Sequence, residues 1–273
     1  MGWLVTGGAG YIGSHVVRAL LDADLPVVVI DDLSTGFEQF VPESATFIRG
    51  TLLDRDLIQD ALQRFDVRRV IHIAGYKYAR ESVKRPLHTY EQNVSTTVNL
   101  LQAMESAGVD RIVFSSSAAT FGTPDVQIVD EATPTIPESP YGETKLIGEW
   151  LLRDAGRATG LRHTSLRYFN VVGSGSQQLF DASPHNLFPK VFDMLAKTMN
   201  PDHQWMRVMF LAWAYAADWE KECTRAHNKL QPTCITQAIL DNIKSCPLST
   251  SYRATHPTDA VVHSSPAYKT NTQ

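Results

Sequence analysis

The first strong punctuation of the chain is Thr6-Gly7-Gly8-Ala9-Gly10-Tyr11-Ile12-Gly13, in which half the residues are glycine. A short apolar run, Trp3–Val5, precedes it, and Val16, Val17, Leu20 and Leu21 follow at helical spacing. The local order is therefore strand, turn, helix. Glycines at such a turn let the chain reverse sharply, let an anion approach the backbone, and let the helix pack closely on the strand. The first helical N–H groups, which have no partners within the helix, face that anion. Gly8, Gly10 and Gly13 satisfy G-x-G-x-x-G, a pattern that a surface turn can also satisfy; the flanking strand and helix select the phosphate-binding reading.

Outward from this turn, short β-branched runs alternate with helical stretches. Trp3–Val5, Val27–Asp31, Thr46–Ile48, Val70–Ile73, Ile112–Phe114 and Thr164–Tyr168 read as strands. The alternation predicts an α/β fold, a doubly wound parallel sheet of the Rossmann type. The run Val27-Val28-Val29-Ile30 is apolar at every position, as expected for a strand covered by helices on both faces. Asp31 ends that run eighteen residues after Gly13. A carboxylate there accepts the hydroxyls of an adenosine ribose and repels a 2'-phosphate, which favours NAD over NADP. Of Asp31 and Asp32, one is expected to cap the Leu33–Gly36 turn.

The 273 residues, 43% apolar and 20% charged, suit a globular chain with one large domain and a smaller lobe. A net charge of −4 gives no electrostatic reason for a nucleic-acid partner. The longest apolar run, Val208 to Ala217, is half the ~20 residues a membrane helix needs, and no leader pattern opens the chain; the expectations are no membrane partner and a cytoplasmic protein. Three widely spaced cysteines without a Cys-x-x-Cys pair, and nine histidines without a His-x-x-x-His pair, suggest neither a disulfide framework nor a metal site.

The fifth strand runs into Ser115-Ser116-Ser117, and Ser139-Pro140 then opens a helix containing Tyr141-Gly142-Glu143-Thr144-Lys145. Tyr141 and Lys145 are four residues apart and share a helix face. A phenol with pKa ~10 is a poor base at neutral pH, but a neighbouring ammonium and a positively charged nicotinamide ring both stabilise its anion. Ser117, at the carboxyl end of a strand beside the cofactor crevice, is placed to hydrogen-bond the oxygen whose proton Tyr141 takes. The same helix pair, met alone, is an ordinary amphipathic pattern; its place after the glycine turn and Asp31 makes it a catalytic trio.

With these residues in order the chain resembles the extended short-chain dehydrogenases/reductases, and within them the UDP-glucose 4-epimerase family. The more specific matches are Ala74-Gly75-Tyr76-Lys77, Glu81-Ser82-Val83, Asn93-Val94, Ser115–Thr120, Ser139-Pro140-Tyr141-Gly142 and Leu166-Arg167-Tyr168-Phe169-Asn170, and the likeness spans residues 1 to about 192. The resemblance implies that Gly7, Gly10, Tyr11, Ile12, Gly13, Asp31, Asp32, Ala74, Gly75, Lys77, Asn93, Ser117, Tyr141, Lys145 and Phe169 serve NAD. It also implies that Ser117, Tyr141, Asn170, Asn186 and Leu187 serve a UDP-sugar. The implied chemistry interconverts UDP-glucose and UDP-galactose: Tyr141 exchanges a proton with the C4 hydroxyl while hydride moves to NAD and back through a 4-keto sugar. Thr51 departs from the Asp that many relatives carry there against the adenine. A homodimer is left open as the assembly.

The implied domains are residues 1–170 for NAD, 171–196 for the start of a substrate lobe, and a divergent tail, 197–273, partly helical from Trp205 to about Leu230 and disordered at its end. Family stretches that hold uridine and diphosphate have no counterpart in this tail, and a shifted reading frame or a replaced end is the economical account. A catalytically silent NAD-binding protein is therefore the alternative from another class. A sugar-nucleotide dehydratase is the rival among enzymes, but that relative carries Thr-Asp-Glu where Ser117-Ala118-Ala119 stands.

Overall fold

The computed structural model describes residues 2–126, 128–171 and 173–179. The sheet has six parallel strands: β1 (Gly2–Thr6), β2 (Val27–Asp31), β3 (Thr46–Arg49), β4 (Val67–His72), β5 (Arg111–Ser115) and β6 (Arg162–Leu166). Their spatial order is β3-β2-β1-β4-β5-β6. The chain builds outward from β1 in one direction and then restarts beside β1 in the other, so a crevice opens above the carboxyl ends of β1 and β4.

Strand residues alternate between two apolar clusters. Leu4, Val28, Ile30, Val70, Ile112 and Phe114 point to one face, covered by α2 (Arg55–Arg64), α5 (Thr96–Ala107) and α6 (Pro140–Thr159). Trp3, Val5, Val27, Val29, Ile71 and Val113 point to the other, where Val16, Val17 and Leu20 of α1 (Tyr11–Asp22) meet them. Both faces of a period-2 strand are thus buried, which explains the unbroken apolar run of β2. Two short helices, α3 (Ala79–Lys84) and α4 (Pro86–Tyr90), and a π turn, Glu91–Ser95, lead from β4 into α5.

All six expected strands form, with ends shifted by more than one residue only at β4 and β6. β4 begins at Val67, ahead of the expected Val70 because Arg68 and Arg69 mask that start in the sequence, and it stops at His72. The N–H groups of Ile73 and Ala74 both turn onto the Thr6 carbonyl, at 3.1 and 3.0 Å. β6 begins at Arg162 and ends before Arg167, as the Tyr168 carbonyl leaves the sheet to accept the Ala118 N–H at 3.0 Å. Among the described residues no helix is long and apolar enough to cross a membrane. The expectations for residues 180–273, including Asn186 and Leu187, lie outside the described residues.

Candidate functional site

A cavity of about 1050 Å³ occupies the crevice, at the upper end of small-ligand sites. Its floor is the glycine turn. Gly7 sits at φ +74°, and a Cβ on Gly13 would lie 2.0 Å from the Gly7 carbonyl oxygen, so neither position tolerates a side chain. Gly10 is the N-cap of α1 and supplies no side-chain cap, and no carboxylate stands in the first turn. Gly10, Tyr11, Ile12 and Gly13 all line the cavity, which leaves a positive helix end facing it, a donor set that fits a pyrophosphate.

Asp31, 9% exposed, stands at the end of β2 and binds the turn to itself: Oδ2 accepts the Ala9 N–H at 3.0 Å and Oδ1 the Leu33 N–H at 2.9 Å. Burial raises its pKa above the usual carboxylate value, the two N–H bonds opposing that rise. Asp32 Oδ1 accepts the Ser34 N–H at 2.8 Å, so both carboxylates cap this turn, and Asp31 also keeps acceptor capacity towards the cavity. Thr51 lines the same end, its hydroxyl accepting the Leu53 N–H at 3.2 Å.

Across the crevice, Ser117 caps the short turn Ala118–Phe121, its Oγ accepting the Ala119 N–H at 3.1 Å. Ser139 caps α6 through the Gly142 N–H at 3.2 Å, with Pro140 in the first turn, and the Tyr141 N–H donates to Ser82 Oγ at 3.1 Å. Ser117 hydrogen-bonds the Tyr141 side chain. Lys145, 5% exposed, donates from Nζ to the Ser115 carbonyl at 2.9 Å and lies 5.9 Å from the centre of the Tyr141 ring. Burial lowers the Lys145 pKa to about 8, still charged at neutral pH. For Tyr141, burial wins: its pKa is raised, and the Ser117 bond only opposes the rise. The sequence-based expectation is a phenol lowered by the ammonium and a charged nicotinamide ring together; in the protein alone the phenol is raised, because a desolvated phenolate is costlier than one ammonium at this separation can offset.

Gly7, Gly10, Tyr11, Ile12, Gly13, Asp31, Asp32, Ala74, Gly75, Lys77, Ser117, Tyr141, Lys145, Phe169 and Asn170 all line this one cavity. Asn93 stands behind it. Its Oδ1 accepts the Tyr76 N–H at 2.6 Å, and its Nδ2 donates to the Tyr76 carbonyl at 3.0 Å and to Thr144 Oγ1 at 2.9 Å. Asn93 therefore shapes the Gly75–Tyr76 loop and ties it to α6. Sequence reasoning gave no part to Ser82, Ser115, Thr144 or Tyr168. Tyr168 lines the cavity and hydrogen-bonds Ser115 Oγ, and burial raises its pKa. Ser82, Ser115 and Tyr168 lay inside recognisable motifs, but only the fold brings them to Tyr141 and Lys145.

Residues 3–205 match the NAD dependent epimerase/dehydratase family. The chain belongs to that family. Curated relatives include the UDP-glucose 4-epimerase of Azospirillum brasilense, 47% identical over 171 residues, 63% of this chain and 49% of the relative. Another is that of Streptomyces lividans, 42% identical over 195 residues, 70% of this chain and 59% of the relative. The chain spans about half the length of the curated relatives it matches. Among solved structures, a UDP-glucose 4-epimerase from Brucella ovis in complex with NAD is similar at 40% identity and TM-score 0.62, covering 63% of this chain and 53% of that one. One from Bifidobacterium longum in complex with NAD+ and UDP is similar at 27% identity and TM-score 0.74, covering 92% and 76%. The cofactor of this family member is NAD, and the cavity fits it: an uncapped helix end over a glycine floor at one side, and a carboxylate at the end of β2 beside it.

Proposed function

We propose that the chain carries the cofactor site and catalytic trio of an epimerase that interconverts UDP-glucose and UDP-galactose through a transient 4-keto sugar. The observation that carries this reading is the meeting of Ser117, Tyr141 and Lys145 on the same cavity as the glycine floor and Asp31. Gly7 to Gly13 would hold the pyrophosphate, Asp31 the adenosine ribose, and Ala74, Gly75, Lys77 and Phe169 the remaining contacts. Bound NAD supplies a reversible hydride acceptor, which makes an otherwise inert carbinol centre invertible. Tyr141 exchanges the proton of the C4 hydroxyl, and Ser117 hydrogen-bonds that oxygen and keeps it oriented. Lys145 keeps a positive charge near the phenol, and an oxidised nicotinamide ring would add a second, lowering a proton affinity that burial alone raises. Asn170, which lines the cavity, is assigned to the sugar nucleotide alongside Ser117 and Tyr141.

Residues 1–170 are read as the cofactor domain and 171–196 as the start of the substrate lobe. Ala118 and Ala119 line the cavity beside Ser117 without offering an acid, which favours epimerisation over dehydration. The test is to release NAD from the purified chain by denaturation and to follow conversion of UDP-galactose to UDP-glucose. Both are expected, and Tyr141→Phe is expected to lose at least about 10³-fold in turnover with NAD retained. NAD release without conversion by the parent chain would make it a silent binder, and full activity of Tyr141→Phe would remove Tyr141 from the assigned role.

A further inference from the structure

Ser115, which ends β5, and the two serines that follow it are gripped by three successive turns of α6. Tyr141 meets Ser117, Lys145 Nζ takes the Ser115 carbonyl, and Glu149, one turn further along the same face, accepts from Ser116 Oγ on Oε1 at 2.5 Å. Gly148 lets the helix come this near, since a Cβ there would lie 2.5 Å from the Phe114 ring. The Glu149 side chain is only 11% exposed, and Arg167 fills the rest of its carboxylate bidentately, Nε to Oε1 at 2.8 Å and Nη2 to Oε2 at 2.5 Å. The same guanidinium lies 5.0 Å from the centre of the Phe121 ring, at the end of the turn that Ser117 caps. Arg167 also precedes Tyr168, whose phenol holds Ser115 Oγ and whose carbonyl holds the Ala118 N–H. One carboxylate therefore joins α6, the serine turn and the exit of β6, with the fixed orientation that a two-point arginine pair imposes.

We propose that Glu149, held by Arg167, is a positioning residue for the site: it fixes Ser116 so that the Ser117 hydroxyl stays on the Tyr141 phenol. The proposal rests on the reading of Ser117 and Tyr141 as the pair that handles the substrate proton. Without Glu149, Ser116 loses its acceptor and Arg167 its counter-charge, and the end of β5 is free to turn. Ser117 then leaves the phenol, and the Tyr141 anion loses a hydrogen-bond donor. The ionisable neighbours of Tyr141 are Lys145 on its own helix and Tyr168 beyond β6, and neither contacts Glu149; the groups that lose the Glu149 charge in its variants are Arg167 and His163 of β6.

The test titrates the Tyr141 phenolate by ultraviolet absorbance in the full chain loaded with NAD, taking Tyr141→Phe as the blank. Glu149→Gln and Glu149→Ala are expected to raise the midpoint by roughly half to one pH unit, Ser117→Ala to raise it similarly, and Glu149→Gln with Ser117→Ala to add nothing further. In turnover of UDP-galactose, the same Glu149 variants are expected to lose about tenfold in kcat with KM within about twofold. An unmoved midpoint with a lowered Tm, or shifts that add in the double variant, would overturn the proposal and leave the cluster a brace for the fold. If Glu149→Ala does not fold, the better-matched Glu149→Gln decides. The titration needs no turnover, so a parent chain that binds NAD without converting UDP-galactose would sink the proposed activity while leaving this inference to stand or fall by its own midpoint.

Discussion

On the β1-β2-β3 side of the sheet the cavity is made of backbone: a glycine floor, an uncapped helix end, and a carboxylate that reaches back 22 residues to the Ala9 N–H. On the β4-β5-β6 side it is made of side chains, each set by a distant partner: Tyr141 by Ser82 at a separation of 59 residues, Asn93 by Thr144 at 51, and Ser115 by Tyr168 at 53. On the proposed reading the first side holds a group whose charge never changes, for which fixed amides suffice. The second, which on that reading moves a proton, has buried groups with displaced proton affinities, Lys145 to about 8 and Tyr141 upward. Recognition is built locally and cheaply, whereas acid–base chemistry requires tertiary packing.

His72 joins the two sides and gives the largest expected effect. Thr97 Oγ1 donates to the Asn93 carbonyl at 2.6 Å, so it accepts from His72 Nε2–H at 3.1 Å, and His72 Nδ1 accepts from Thr6 Oγ1 at 2.7 Å. Burial lowers the His72 pKa to about 3. The unfolded chain takes up this proton below about pH 6.5 and the folded chain only near 3, so stability falls as pH drops through that window, by about 5 kcal/mol in all. Urea unfolding across pH should show this slope, and His72→Asn should flatten it; an unchanged slope in the variant would place the acid sensitivity elsewhere.

The backbone side can be broken by one methyl group. Gly13→Ala puts a Cβ against the Gly7 carbonyl and is expected to cost about 3 kcal/mol and to abolish NAD retention. A variant that keeps its Tm and its NAD would mean that the turn is not the floor of the site.

The side-chain side stores a smaller and opposite effect in Lys145. In the cofactor-free chain the folded lysine loses its proton near pH 8 and the unfolded one near 10.5. Its burial therefore lowers stability at neutral pH, and the penalty is relieved as pH rises from about 8 to 10.5. Lys145→Met is expected to raise stability at pH 7 by about 1 to 3 kcal/mol, after loss of the Ser115 bond, and to lose that advantage by about pH 10.5. A destabilised variant with no pH dependence between about 8 and 10.5 would show that burial leaves the lysine's proton affinity unshifted.

The same contrast governs what could be read without a structure. The glycine turn, Asp31 and the six strands were legible because each is a short-range pattern of fixed period or spacing. The arginines at the starts of β4 and β6 blurred those strand ends, since a polar side chain at the end of a strand carries no periodicity signal. Ser117, Tyr141 and Lys145 were legible as a helix pair and a strand end. The raised pKa of Tyr141 was not, because burial is a property of what α6 packs against. Asn93 reads as a cofactor contact by resemblance, yet its polar atoms are spent on Tyr76 and Thr144. Arg167 lies in a motif of the family likeness, but Glu149 lies in none, and their meeting across 18 residues is set by the fold.

The central claim is that this cavity is an NAD site whose preference is written by Asp31. Titrating the cofactor-stripped chain with NAD and NADP by calorimetry tests it directly. The account predicts one equivalent of NAD bound, with NADP weaker by about a hundredfold or more, because its 2'-phosphate would meet the carboxylate, and with that gap narrowed in Asp31→Asn. Equal affinity for the two dinucleotides, or a gap unchanged by Asp31→Asn, would contradict it.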